Sequence, residues 1–174
     1  MGSGVTLSAT TISNLSGASL FINSGTVAGA FTNGGTLGVN GAGTITGSLV
    51  NTGTVTLLDG SVGDTLTISG PVSGGGIYAL DINLDNGTTD KIIASGNDAT
   101  GLIQLAFDPI LTGDGVLLPD VVVFEGVAGG ATISQTGLPT GGAILYGVSI
   151  DGTNIEVNST INPAVAGVAA GAAV

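Results

Sequence analysis

The sequence predicts an all-β protein, a single-stranded parallel β-helix with rungs of about 18 residues, closed by a β cap at its C-terminal end. Three observations carry that expectation. Glycine recurs at Gly17, Gly25, Gly35, Gly43 and Gly53, at intervals of eight, ten, eight and ten, so the repeating unit is 18 residues. Between the glycines, apolar and polar residues alternate, as in Thr36-Leu37-Gly38-Val39 and Thr54-Val55-Thr56-Leu57. Period two over such short stretches marks strands with one buried face. The composition agrees: 33 Gly and 43% hydrophobic residues, but four Phe, two Tyr and no Trp in 174 residues. A core so poor in aromatics suits narrow layers of Val, Ile, Leu and Thr. Disordered chains, the other home of many glycines, lack those residues.

The first layers come from residues 5–75. At a spacing of 18 the columns align Phe21, Val39 and Leu57, then Val27 with Ile45, Phe31 with Leu49, and Asn33 with Asn51. A meander or sandwich built on turns at Asn33-Gly34 and Asn40-Gly41 is the competing arrangement, but hairpins give like residues no reason to recur 18 apart. In a coil, equivalent positions lie one strand spacing apart, so Phe21, Val39 and Leu57 are expected to stack. Asn33 is expected to pass a side-chain amide hydrogen bond to Asn51. Stacked like charges would repel, and no Asp, Glu, Lys or Arg occurs from residue 5 to 58.

From Asp59 to Gly70 the register slips, which reads as a last, irregular layer with Leu66 and Ile68 inward. All 12 acids lie from Asp59 to Glu156. Residues 76–158 then supply longer strands, near Ile77–Leu84, Lys91–Ala94, Leu102–Phe107, Val121–Glu125, Ala143–Ile150 and Ile155–Val157. This half is expected to cap the coil, because an open solenoid end presents unpaired backbone groups. Its expected core is Tyr78, Leu80, Ile82, Ile92, Leu105, Phe107, Phe124 and Tyr146. Asp90 and Lys91 are neighbours on a strand and point to opposite faces, so Lys91 is expected to reach a different acid.

The inventory excludes much chemistry. Twelve acids against one basic residue give a net charge of −11, and Lys91 alone cannot displace the counterions of a nucleic acid. The chain has no His and no Cys, which removes Ser-His-Asp and Cys-His catalysis, the common zinc sites, iron–sulfur clusters and disulfides. No cofactor is expected. Asp85-Asn86-Gly87-Thr88-Thr89-Asp90 offers oxygen ligands for calcium but lacks the EF-hand pattern, and a plain turn is the preferred reading. A polysaccharide-active β-helix enzyme could pair Asp59 with Asp64, but the repeats offer no Trp and no cations to hold a sugar chain. The protein is expected not to be an enzyme.

The stretch from Gly76 through Tyr78, Asp81, Asp85 and Asp90-Lys91-Ile92-Ile93-Ala94 to Gly96 resembles the C-terminal passenger region of pertactin-like autotransporters. The likeness lies in a Tyr-centred strand, an Asp-rich turn, then a Thr-Asp-Lys-hydrophobic strand ending in Gly. Ile144 to Thr153 is similar to that family's closing strands. The tail from Asn162 to Val174 resembles the linker that enters a translocator barrel. The resemblance spans about residues 20–174 and implies a right-handed β-helix exported through the outer membrane of a Gram-negative bacterium, then secreted or displayed at the cell surface. It implies that residues 76–158 act as an autochaperone, the folding nucleus of a virulence-associated adhesin or biofilm protein. The implied partners are the protein's own translocator barrel, which this chain lacks, and a host surface or another copy of itself. Self-assembly into head-to-tail filaments is the alternative function, since the uncharged repeats carry few residues that guard against edge pairing.

The two ends have their own readings. Met1-Gly2-Ser3-Gly4 lacks the basic and apolar regions of a signal peptide and reads as an appended start. Residues 159–174 read as a linker, whose apolar run is shorter than the ~20 residues that cross a bilayer.

Overall fold

The computed structural model describes residues 1–113 and 115–164. The chain winds through two facing sheets, each turn adding a strand to both. The opening layers are β1 (Thr6–Asn14) and β2 (Ser19–Asn23), then β3 (Thr26–Asn33) and β4 (Thr36–Asn40), then β5 (Ala42–Ile45), β6 (Leu49–Asn51) and β7 (Thr54–Thr56). Below them lie β8 (Thr65–Ile68), β9 (Val72–Ser73) and β10 (Ile77–Asn83), from which a short hairpin strand β11 (Thr88–Thr89) projects. The widest layers hold β12 (Lys91–Ala94) and β13 (Leu102–Ile110), then β14 (Val121–Glu125) and β15 (Thr132–Thr136). A hairpin of β16 (Ile144–Asp151) and β17 (Asn154–Ile161) ends the described chain. One sheet runs β16-β17-β14-β12-β8-β5-β3-β6-β9 with β1 beside β3; the other runs β15-β13-β10-β7-β4-β2 with β11 beside β10. Layer-to-layer pairs are parallel, as a β-solenoid requires, and β17 turns antiparallel against β14 and β16.

The layers widen steadily. Thr36 pairs with Thr54, a step of 18; Thr54 pairs with Ile77, a step of 23; Ile77 pairs with Gln104, a step of 27; and Leu102 pairs with Thr132, a step of 30. The coil therefore does not end at residue 75. The Asp59–Gly70 layer is not the last: β12 pairs beneath β8, with Ile92 under Leu66 and Ala94 under Ile68. What closes the coil is the β16–β17 hairpin alone, and β17 runs on to Ile161, opposite Ile144, into the stretch read as linker. The tail from residue 165 onward lies outside the described residues.

Inward side chains stack in columns, and these columns are the core. In the second sheet Leu20, Leu37, Val55, Tyr78 and Leu105 follow one another in register. In the first sheet Gly43, Leu66, Ile92 and Phe124 form one column, and Ile12, Phe31 and Leu49 begin another that ends at Val72. Like stacks on like at one strand spacing, so no side chain needs to reach far, and narrow layers fill without large rings.

One stacking expectation is corrected. Phe21 does not stand on Val39; it lies opposite Gly38, while Ile22 pairs with Val39. The first layer turns its corner with Leu15 to Ala18, and the second needs only Gly34 and Gly35 between β3 and β4. The extra corner residues shorten the next step, Ser19 to Thr36, to 17. Period two then turns Phe21 outward, 62% exposed, where its ring covers the bare backbone of Gly38; a Cβ at 38 would overlap the ring. Ile22, Val39 and Leu57 are buried instead.

Candidate functional site

The residues singled out for the cap converge in the wide lower layers. Tyr78, Leu80 and Ile82 project from β10, Ile92 from β12, Leu105 and Phe107 from β13 and Phe124 from β14, and all are buried. Tyr78 and Phe124 come from opposite sheets and meet edge to face, with ring centroids 5.4 Å apart and planes at 90°. That geometry sets the positive edge of one ring against the negative face of the other and ties the sheets across the core. Burial holds the Tyr78 hydroxyl well above the ordinary tyrosine range, with a hydrogen bond to Asn51 opposing the shift. Tyr146 is different. It sits half-buried on β16, packs against the core from outside, and donates its hydroxyl to the Val116 carbonyl at 3.4 Å.

A buried amide ladder runs above this core. Asn14 Nδ2 donates to Asn33 Oδ1 at 2.8 Å, and Asn33 Nδ2 donates to Asn51 Oδ1 at 2.9 Å. Each spare amide hydrogen finds a backbone carbonyl one corner on: Thr36 for Asn14, Thr54 for Asn33 and Ile77 for Asn51. The sequence columns missed Asn14 because it stands 19 residues before Asn33, one off the repeat. The ladder stops at Gly74 and Gly76, where the chain passes too close to Asn51 for any side chain.

On the outer face of β10 lies the most unusual polar group of the protein. Asp81 is 1% exposed and Asp90 fully buried, both covered by the loop from Asp59 to Asp64. Asp81 Oδ2 accepts from the amides of Asp59 and Gly60 at 2.9 and 3.0 Å. Asp90 Oδ1 accepts from Gly63 and Asp64, both at 3.0 Å, and its Oδ2 accepts from the Asp81 amide at 2.9 Å. Asp64 Oδ1 accepts from Gly41 in the layer above at 2.9 Å. Burial raises the Asp90 carboxyl to about 6, with the charges of Asp64 and Asp81 adding to the shift and the amide hydrogen bonds opposing it. Burial raises Asp64 as well.

The other polar residues singled out in the sequence have partners within the fold. Lys91 Nζ meets Glu125 Oε1 at 2.9 Å, bridging β12 and β14 on a partly exposed face. Asn86 closes an Asx turn by accepting from the Thr88 amide at 2.9 Å, and Asp85 Oδ2 accepts from the Thr112 amide at 2.8 Å and from its hydroxyl. These contacts hold Asp85 below the ordinary carboxylate range. Asp59, the other acid of the enzymatic alternative, accepts from Ser61 and Asn40 through its two oxygens. Among the described residues no set of three or more acids, the Asp64, Asp81 and Asp90 group included, is arranged to hold a metal ion. Sequence reasoning missed Asp64 and Asp81 as partners of Asp90. Alternation with Tyr78, Leu80 and Ile82 places Asp81 outside the coil, and only the fold brings a loop over it.

No family model matches the chain. A protein described as the probable autotransporter YfaL, from Escherichia coli strain K12, is 44% identical to it over 59 residues. That stretch covers 32% of this chain and 5% of that protein, so the chain corresponds to a small part of its relative's length. The chain is thus a parallel β-solenoid carrying a region similar to an autotransporter.

Proposed function

We propose that this chain is a non-catalytic segment of an autotransporter passenger, a rigid stalk whose lower layers nucleate folding for a secreted or surface-displayed adhesin-type protein. The observation that carries the reading is the asymmetry of the coil. Toward the C-terminal end the layers widen, hold the Tyr78–Phe124 pair and finish in the antiparallel β16–β17 hairpin. Toward the other end β1 offers an exposed, one-sided edge. A parallel coil nucleates slowly because each layer must find the one beside it. A broad, well-packed terminal layer removes that step by presenting a finished edge on which the next turn can form. The partner of such a segment is the translocator of its own full-length protein, with a host surface as the target of the displayed region.

The test separates the two halves. Deleting residues 76–158 is expected to leave the repeats unfolded or aggregated, as read by circular dichroism and light scattering. A soluble fragment of residues 5–75 with β-rich dichroism and a cooperative melt would refute the nucleation role.

A further inference from the structure

We propose that the buried carboxyl cluster of Asp64, Asp81 and Asp90 forms a proton lock: one proton held within the cluster relieves its negative charge and fastens the 59–64 loop to β10. The inference is independent of the stalk reading and concerns how the fold responds to its surroundings.

The geometry leaves a hydrogen missing. Asp64 Oδ2 and Asp81 Oδ1 are buried and have no hydrogen-bond partner, although every other oxygen of the three carboxyls accepts from a backbone amide. A buried acceptor without a donor is costly, and two of them in one repelling cluster of acids more so. A proton on Asp64 Oδ2 turns that oxygen from an unpartnered acceptor into a donor and removes one negative charge from the cluster. No cation competes for the role. Lys91, the chain's one basic side chain, follows Asp90 but is engaged with Glu125 on β14. The other charged groups facing the cluster are acids: Asp59 on the covering loop, and Asp108 on β13, in register with Asp81 and exposed.

The sign of the linkage follows. Asp90 is raised from 3.8 to about 6 by burial first and by Asp64 and Asp81 second, so between these values the folded chain holds a proton that the unfolded chain has released. Stability therefore rises as pH falls through 6 toward 4, and the penalty is fully present above 6. Because the carboxyls interact, the proton belongs to the group rather than to one residue.

The test is urea denaturation of the whole chain from pH 5 to pH 8, with hydrogen exchange at the Gly63 and Asp64 amides. The folding equilibrium constant is expected to fall as pH rises from 5 through 6, by up to about tenfold per unit for one proton, and to level off above that. Asp64→Asn keeps an acceptor for Gly41 and supplies a permanent amide donor in place of the proton. It is expected to flatten the pH dependence and to equal or exceed the parent in stability at pH 8. Asp108→Asn should leave the slope unchanged. A parent chain indifferent to pH, an Asp64→Asn variant that keeps the slope or folds less well at pH 8, or an Asp108→Asn variant that removes the slope would each overturn the proposal. So would millimolar calcium chloride stabilising the parent at pH 8 as much as acid does, since the free oxygens would then be cation ligands.

Discussion

Side chains in this protein are valued by the column they occupy rather than by their chemical type. Phe124 and Phe21 make the comparison. Phe124 is fully buried and clasps Tyr78, so Phe124→Ala is expected to cost about 3–5 kcal/mol. Phe21 shields only Gly38 on the outer face, and Phe21→Ala is expected to cost under about 1 kcal/mol. Urea denaturation of both variants checks the assignment; a large loss at Phe21 would put that ring inside. Asn33 is the sharpest polar case. Asn33→Leu leaves the Asn14 amide, the Asn51 carbonyl oxygen and the Thr54 carbonyl without their bonds, and is expected to cost at least about 1–3 kcal/mol. Asn33 and Asn51 were legible as a ladder because they repeat at 18, whereas Asn14 was hidden by the longer loop between β1 and β2.

Among elements, the loops that cover strands contribute as much to order as the strands do. The loop from Asp59 to Asp64 is held by carboxylates reaching up from β10 and from the corner before β12, not by apolar burial. Asp90 is the clamp. Asp90→Asn can present only one accepting oxygen, so either the Gly63 and Asp64 amides or the Asp81 amide faces an NH2 group. The expected loss is about 1–3 kcal/mol, read by denaturation at pH 5, where the charge difference between the parent and the variant is smallest. The Lys91–Glu125 bridge is partly exposed and contributes under about 1 kcal/mol. Strands were readable from alternation, but β15 was not: Thr132-Ile133-Ser134-Gln135-Thr136 is largely exposed and has one apolar residue to mark it.

Across the whole molecule, charge and layer width rise together. The repeats from residue 5 to 58 are uncharged, and all 12 acids follow in the sequence that builds the wider layers, where Asp64, Asp81 and Asp90 gather beneath one loop. A net charge of −11 on so compact a coil repels itself, so the melting temperature is expected to rise as sodium chloride increases from 10 mM toward about 0.15 M, where the Debye length falls to about 8 Å. A melting temperature that is flat or falls with salt, followed by dichroism, would contradict this. The same crowding of acids is what makes the buried Asp64–Asp81–Asp90 group a natural place for a proton.

The sequence by itself determined the solenoid, the 18-residue step of the opening layers and most of their inward residues, Phe21 excepted, because one strand spacing separates equivalent positions and selects residues that pack against themselves. Only the tertiary structure decided where the coil stops, which corner is longer, and which outward acids are buried. Those depend on loops folding over faces that alternation marks as open, and a loop's path is set by long-range hydrogen bonds that leave no period in the chain.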